Sequence, residues 1–300
     1  GGKENGKMKT IGFIGLGSMG LSMALNLRRA GFPVMGYNRT REKEAPLLQA
    51  GGLPAGALEE LGRRCDVLVL CLPTGDIVRE MLLGPGGALT GPVRVRWILD
   101  CSTVDVTQAK ELGDQLREVG IWYFDAPVSG GPKGAEEGTL TIMVGGDEEQ
   151  LRQELMPICQ AMGRNILHTG PNGTGQQFKL INQILTWVNH AVICEAAALA
   201  KRAGLDEDKL YDMLMTSYGS SRVLEVTYKS HIQPRNYENP TGMRMMCKDL
   251  TLAQKFARDY HAALPMTDTA MSLYQKALDS GQGDCDQSII LEQLFPREDD

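Results

Sequence analysis

One stretch constrains everything else in the chain: Ile11-Gly12-Phe13-Ile14-Gly15-Leu16-Gly17-Ser18-Met19-Gly20. Lys9 to Ile14 is short, apolar and β-compatible, and reads as a strand. Gly15, Gly17 and Gly20 follow at G-x-G-x-x-G spacing. An amphipathic helix is predicted from Met19 to Ala30, with Leu21, Ala24, Leu25 and Leu27 on one side and Gly31 ending it. Pro33 to Tyr37 is a second strand. Strand, glycine turn, helix and strand within about 30 residues is the setting in which such glycines cradle a pyrophosphate. Gly15 permits the tight turn, Gly17 lets the backbone approach the phosphates, and Gly20 lets helix and strand pack closely. The run Gly15, Leu16, Gly17, Ser18, Met19 and Gly20 is therefore assigned to a dinucleotide, whose phosphates meet the N–H groups and positive dipole of the helix start.

The end of the second strand narrows that ligand. NAD sites place a carboxylate about 20 residues past the glycines, for the ribose 2′-hydroxyl. Here the residues are Tyr37-Asn38-Arg39-Thr40, with no carboxylate before Glu42. A guanidinium at Arg39 beside Asn38 and the Thr40 hydroxyl suits the 2′-phosphate of NADP. NADP(H) is the predicted cofactor, with NAD as the alternative.

Strands and helices go on alternating. Arg41 to Gln49 and Leu58 to Gly62 read as helices, and Asp66 to Leu72 as a strand covered on both faces. That strand ends at Leu72-Pro73-Thr74, beside the predicted crevice. Helix Ile77–Leu83, strand Trp97–Cys101, helix Thr107–Val119 and strand Ile121–Asp125 follow. The pattern predicts an α/β class: a doubly wound, mainly parallel Rossmann-type sheet. Asp125 to Ala135 reads as a Gly/Pro-rich loop, then Thr139–Val144 as a strand, Glu148–Met162 as a helix and Asn165–His168 as a last strand.

Gly170-Pro171-Asn172-Gly173 punctuates the chain, so the dinucleotide-binding domain is set at 8–170 and an all-helical substrate and dimerisation domain at 171–300. The second half opens with a helical stretch from Gln176 to Ala203, about 40 Å long. It is apolar on most faces, which points to a core or to an interface in a homodimer or homotetramer. Its polar residues, among them Lys179, Asn182, Gln183 and Glu195, argue against a membrane span. Helices are predicted at Asp206–Ser217, Ser220–Ile232, Met246–His261, Thr267–Ser280 and Asp286–Leu294.

Composition bounds the function classes. The chain has 300 residues and a net charge of −6, with no basic block, a poor profile for binding nucleic acid. Seven cysteines without a C-x-x-C pair read as reduced thiols of a cytoplasmic protein. His190 and Cys194, four apart on a helix, have no companion ligands, so core packing is the better reading and no metal is predicted. Gly1 to Lys7 is polar and reads as disordered, and no signal peptide is read in the sequence.

A nicotinamide enzyme needs a proton donor or acceptor beside the hydride path. Lys179, just past Gly173-Thr174-Gly175, sits near a helix start where its pKa is expected to fall, although most lysines are simply solvated. The loop Ser129-Gly130-Gly131 is suited to present N–H groups and a hydroxyl to a carboxylate, and equally suited to being a flexible turn.

From Ile11 to about Leu294 the chain resembles the β-hydroxyacid dehydrogenase family, which includes 3-hydroxyisobutyrate dehydrogenases, tartronate semialdehyde reductases and glyoxylate/succinic semialdehyde reductases. Four motifs carry the resemblance, in matching order and spacing: Gly12 to Gly20, Asp125-Ala126-Pro127-Val128-Ser129-Gly130-Gly131, Gly173-Thr174-Gly175-Gln176-Gln177-Phe178-Lys179, and Lys248-Asp249-Leu250. It implies that Lys179 is the catalytic acid and base and that Ser129, Gly130 and Gly131 hold the substrate carboxylate. It also implies that Leu72, Pro73 and Thr103 line the cofactor, and that Lys248, with Asp249 beside it, serves cofactor or substrate. The family often has Asn four residues after the lysine. Here that residue is Gln183, whose amide remains able to bond a substrate hydroxyl, as in some semialdehyde reductases of the family. The implied activity is hydride transfer between NADP(H) and a small, carboxylate-bearing β-hydroxy acid or its semialdehyde. An imine reductase, whose relatives usually lack the lysine, and a non-catalytic NADP-binding scaffold are the alternatives.

Overall fold

The computed structural model describes residues 8–239 and 242–297; the segment Gly1–Lys7, read above as disordered, lies outside them. By its internal contacts the chain divides into a unit of residues 1–179 and a unit of residues 180–300.

The first unit is built on an eight-stranded sheet. Its strands are β1 (Ile11–Ile14), β2 (Val34–Tyr37), β3 (Val67–Leu70), β4 (Trp97–Asp100), β5 (Trp122–Asp125), β6 (Val128–Ser129), β7 (Leu140–Gly145) and β8 (Gly163–Gly170). They lie in the order β2-β1-β3-β4-β5-β7-β6, with β8 paired to β7. Strands β2 to β5 along that order are parallel, while β7 runs antiparallel to β5 and β6. Alternate residues of the buried strands feed two apolar layers. Ile11, Phe13, Val67, Val69 and Leu99 belong to one layer. Ile14, Leu68, Leu70 and Ile98 belong to the other. This two-faced burial is why the strands read as unbroken apolar runs.

Helices cover both layers. They are α1 (Ser18–Arg29), α2 (Ala45–Gln49), α3 (Leu58–Arg64), α4 (Gly75–Leu83), α5 (Val106–Glu118), α6 (Gly131–Glu137), α7 (Glu148–Gln150) and α8 (Met156–Met162), the last two joined by a π turn at Leu151–Leu155. Met23, Ala24 and Leu27 of α1 and Ile158, Cys159 and Met162 of α8 fill the first layer. Val78 and Leu82 of α4 and Ala109, Leu112 and Leu116 of α5 fill the second.

The structure corrects the sequence in one place here. The segment expected to be loop from Asp125 to Ala135 holds β6 and the start of α6. Pro132 sits at the helix start, where its missing N–H costs nothing. Gly138, left-handed with φ 67°, ends the helix. Asn26 of α1 donates to the Ala135 carbonyl across 2.7 Å, a contact 109 residues distant that no local pattern reveals.

α9 (Thr174–Arg202) has 29 residues. The division at Lys179 falls inside it rather than at the Gly170–Gly173 punctuation, because its first turn is bonded to the sheet by side chains described below. The second unit is helical: the rest of α9, then α10 (Glu207–Met215), α11 (Arg222–Thr227), α12 (Gly242–Asp259), α13 (Pro265–Asp279) and α14 (Leu291–Leu294). The single helix expected over Ser220–Ile232 is α11 followed by a π turn at Tyr228–Ile232. Tyr228, Met243, Met246, Leu250, Tyr274 and Ile290 belong to its core. Among the described residues no helix is long and apolar enough to cross a membrane.

Candidate active site

The strand order reverses at β1, with β2 on one side and β3 on the other. At such a reversal the connections leave a crevice outside the carboxyl ends of the strands. A cavity of about 220 Å³ occupies that position, lined by Gly15, Gly17, Tyr37, Asn38, Arg39, Lys43, Cys71, Leu72 and Pro73 among others.

The three glycines do different things there. Gly15 has φ +98°, and a Cβ on it would lie 2.2 Å from the Cys71 carbonyl oxygen. A Cβ on Gly20 would lie 2.0 Å from the Gly15 carbonyl oxygen, so helix and turn touch. A Cβ on Gly17 would meet nothing within 4 Å, leaving room above the backbone at the start of α1 where a pyrophosphate would lie. The residues present therefore fit a dinucleotide. Leu16 contributes backbone only: its N–H donates to Asn38 Oδ1 across 2.8 Å while its side chain is buried in the core. Ser18, Met19, Gly20 and Thr40 do not line the cavity.

Beyond β2, Asn38 Nδ2 donates to the Thr40 carbonyl and shapes the turn that carries Arg39. The Arg39 guanidinium, 62% exposed, lies 3.0 Å from Glu80 of α4. Lys43 supplies a second cation to the cavity wall. Sequence reading missed Lys43 and Glu80; Lys43 stands four residues past Arg39, but nothing local links Glu80 to either.

The ends of β3 and β4 follow. Leu72 N–H donates to Ser102 Oγ across 2.9 Å, which fixes the crevice wall. Thr74 Oγ1 accepts from the Ile77 N–H and caps α4 rather than lining the cavity. Thr103 lies between Ser102 and Val104, both bonded to the side chain of Gln176. Asp100 is fully buried and accepts from Tyr123 Oη at 2.7 Å. Burial, then the carboxylates of Asp100 and Asp125, push the Tyr123 phenol well up.

Asp125 ends β5 and is fully buried. Burial raises its pKa to about 7, against the N–H bonds it accepts from Gly173 and Gln176, which act to lower it. Ser129 is half-buried on β6, paired to Thr141 of β7, and Gly130 and Gly131 turn into α6 with φ of 138° and 64°. Lys179 is in the second turn of α9 and only 8% exposed.

In the second unit, Gln183 Nε2 donates to Asp249 Oδ2 across 2.7 Å, and Lys248 Nζ lies 3.2 Å from Asp249 Oδ1. One of the two hydrogens of the amide expected to serve a substrate hydroxyl is thus directed at Asp249. His190 is buried, with Nδ1 2.8 Å from Tyr274 Oη and Nε2 2.9 Å from Ser288 Oγ. Burial drives its pKa down to about 4, so it is a neutral core histidine at neutral pH. Among the described residues no group of three or more His, Cys, Asp or Glu is placed to hold a metal.

Crevice, glycines and strand order together define a dinucleotide-binding protein of the Rossmann class. Residues 10–170 match the family described as the NAD binding domain of 6-phosphogluconate dehydrogenase, and residues 173–294 the family described as the NAD-binding domain of NADP-dependent 3-hydroxyisobutyrate dehydrogenase. The chain is similar to the NAD-dependent L-serine dehydrogenase of Pseudomonas aeruginosa, with 37% identity covering 96% of this chain and 98% of the relative. It is 34% identical to the 2-hydroxy-3-oxopropionate reductase of Escherichia coli, covering 95% and 96%. The crystal structure of a 3-hydroxyisobutyrate dehydrogenase from Salmonella typhimurium superposes with a TM-score of 0.86 at 30% identity, covering 95% of this chain and 99% of that one. The chain belongs to the β-hydroxyacid dehydrogenase family and is an NAD(P)-dependent hydroxyacid dehydrogenase.

Proposed function

We propose that this enzyme interconverts a small 3-hydroxy acid and its semialdehyde with NADP(H) as the preferred carrier. The observation that carries the reading is the burial of Lys179 in the unit that holds the nucleotide crevice. Lysine is seldom this buried unless it is paired, and this one stands in the motif that the family resemblance assigns to catalysis. When bound, the nicotinamide accepts the hydride from the carbinol carbon or returns it. Lys179 Nζ in its neutral form takes the hydroxyl proton during oxidation, and its ammonium returns a proton to the carbonyl oxygen during reduction. Ser129, Gly130 and Gly131 hold the carboxylate in this reading, and the family resemblance implies substrate or cofactor roles for Gln183, Lys248 and Asp249 as well. Thr103 serves the cofactor in the same reading.

3-Hydroxyisobutyrate and tartronate semialdehyde fit this class; glyoxylate and succinic semialdehyde, which give a 2-hydroxy and a 4-hydroxy acid on reduction, are the shorter and longer carboxylate-bearing aldehydes that the family resemblance adds. Serine is also a 3-hydroxy acid and joins the list through the Pseudomonas relative. The NADP preference rests on Arg39 and Lys43 at the crevice rim and is supported by the NADP-dependent family matched by the second half. Lys179→Ala should lower kcat by about a thousandfold or more while NADPH Kd stays within about threefold. Turnover near wild type across a panel of these acids and semialdehydes would overturn the assignment.

The exposed apolar residues Ile181, Leu185, Val192 and Leu199 share one side of α9 and suit a homodimer or homotetramer in the cytoplasm. Light scattering on the purified enzyme tests this, and a monomer at micromolar concentration would contradict it.

A further inference from the structure

Two buried side chains tie the first turn of α9 to the sheet, and the family motifs give neither a task. Asp125 Oδ1 accepts from the Gly173 N–H across 2.7 Å, and its Oδ2 accepts from the Gln176 N–H across 3.0 Å. Gln176, fully buried, accepts from the Val104 N–H at 3.1 Å through Oε1 and donates to the Ser102 carbonyl at 2.8 Å through Nε2.

The arrangement differs from an ordinary helix cap. The residue before α9 is Gly173, which has no side chain to accept the first N–H groups. A serine or aspartate there would stabilise the helix locally. Instead the acceptor comes from Asp125, 48 residues earlier in the chain. A cap from so far away also fixes the helix against the strand that supplies it. The fit around it is tight. A Cβ at Gly175 would lie 2.5 Å from the Asp125 carbonyl oxygen and 2.9 Å from Oδ2, and one at Gly145 would lie 2.7 Å from Oδ1. Glycine at both positions is what lets the carboxylate sit there.

The bonds run on to the crevice wall, and the chain itself runs on from Asp125 to the Ser129 loop. Ser102, held by Gln176, accepts the N–H of Leu72, a residue of the crevice wall. Asp125 opens the segment that reaches Ser129. Lys179 follows Gln176 by three residues, one turn along the same side of the helix.

We propose that Asp125 and Gln176 are positioning residues that lock the first turn of α9 to the ends of β4 and β5 and thereby set where the Lys179 amine stands. The proposal rests on Lys179 being the acid and base. Its consequence is kinetic, because displacement of an aligned group by about 1 Å costs on the order of a hundredfold in rate.

The test uses the full-length enzyme at pH 8. Asp125→Asn keeps the shape but turns an amide toward an N–H, and Gln176→Met keeps the length and removes both side-chain bonds. Each should lower kcat by about thirtyfold or more, with NADPH Kd within about threefold. The primary isotope effect with C4-deuterated NADPH should rise, since hydride transfer becomes slower than the steps around it. Gln176→Glu, which can still accept from Val104, should fall between Gln and Met. Wild-type kcat in Gln176→Met, or a loss of kcat matched by loss of NADPH binding with no change in isotope effect, would overturn the proposal. Gln176→Met decides the matter if Asp125→Asn does not fold. Lys179→Ala is measured alongside. If it stays active, the acid–base reading falls and this proposal with it. If it is inactive while both other variants keep wild-type kcat, the positioning proposal alone falls.

Discussion

The nucleotide crevice and the start of α9 lie in the same unit and are made by opposite means. The crevice is made by leaving things out: Gly17 has empty space where a side chain would be, and its ionic partners Arg39 and Glu80 stand in solvent. The start of α9 is made by filling every gap, with a buried carboxylate and a buried amide bonded at both ends. Binding a ligand that comes and goes needs vacancy and mobile charge. Holding a proton-transfer group needs the reverse. Changes at the open positions of the first region, Gly17 and Arg39, should therefore alter affinity and leave stability alone, and changes in the second should alter stability and turnover.

The largest expected effect tests the filled region through pH. The pKa of Asp125 is about 7 in the fold against an ordinary 3.8, so the native state keeps a proton that the unfolded chain releases. The stability this gives is full below pH about 4 and is lost as pH rises through about 7. Denaturant unfolding from pH 4 to 8 should show the stability of wild type, measured relative to Asp125→Asn, falling by a few kcal/mol over that range. Parallel curves would mean the carboxylate is not held as described.

Next comes Gly175→Ala. Its methyl group would press on the backbone oxygens of Asp125 and Met143, at 2.5 and 2.6 Å, and should cost about 1–3 kcal/mol in unfolding free energy. Arg39→Asp should move the NADPH/NADH ratio of kcat/KM toward NADH by about tenfold or more, the worth of a charged hydrogen bond to phosphate. A wild type that already prefers NADH strongly would remove the basis for that expectation. Gly17→Ala should weaken nucleotide binding about tenfold with an unchanged melting temperature, since the new methyl meets only the ligand's space. A melting temperature that fell as far as in Gly175→Ala would erase the contrast between the regions. Smallest is Glu80→Gln, which frees Arg39 from an exposed ion pair and should favour NADPH by about two- to fivefold.

Most of the crevice was legible because its signals are local. The glycine spacing, the missing carboxylate after β2 and the apolar strands each sit within a few residues of one another. Gly15, Gly17, Asn38, Arg39, Leu72 and Pro73 line the cavity. What escaped depends on contacts between distant segments. Glu80 reaches Arg39 across 41 residues, Asn26 props up α6 across 109, and Gln176 meets Ser102 across 74. Asp125 stood in a quoted motif, yet its task needs Gly173 and Gln176 beside it. Thr74 looked like a cavity residue by position and is instead spent on capping α4. In the helical unit, Gln183 was noticed as a departure, but its bond to Asp249 spans 66 residues and has no local trace.

The break between the units, one and a half turns inside α9, sets terms for anyone exchanging parts between relatives. A fragment ending at residue 170 would leave the Asp125 carboxylate without its N–H donors on Gly173 and Gln176. A graft of foreign helices beginning at residue 171 would bring a first turn shaped for another protein's β5. Hybrids joined after Lys179 carry the lock and its amine together, and they are the ones expected to express as folded, active chimaeras.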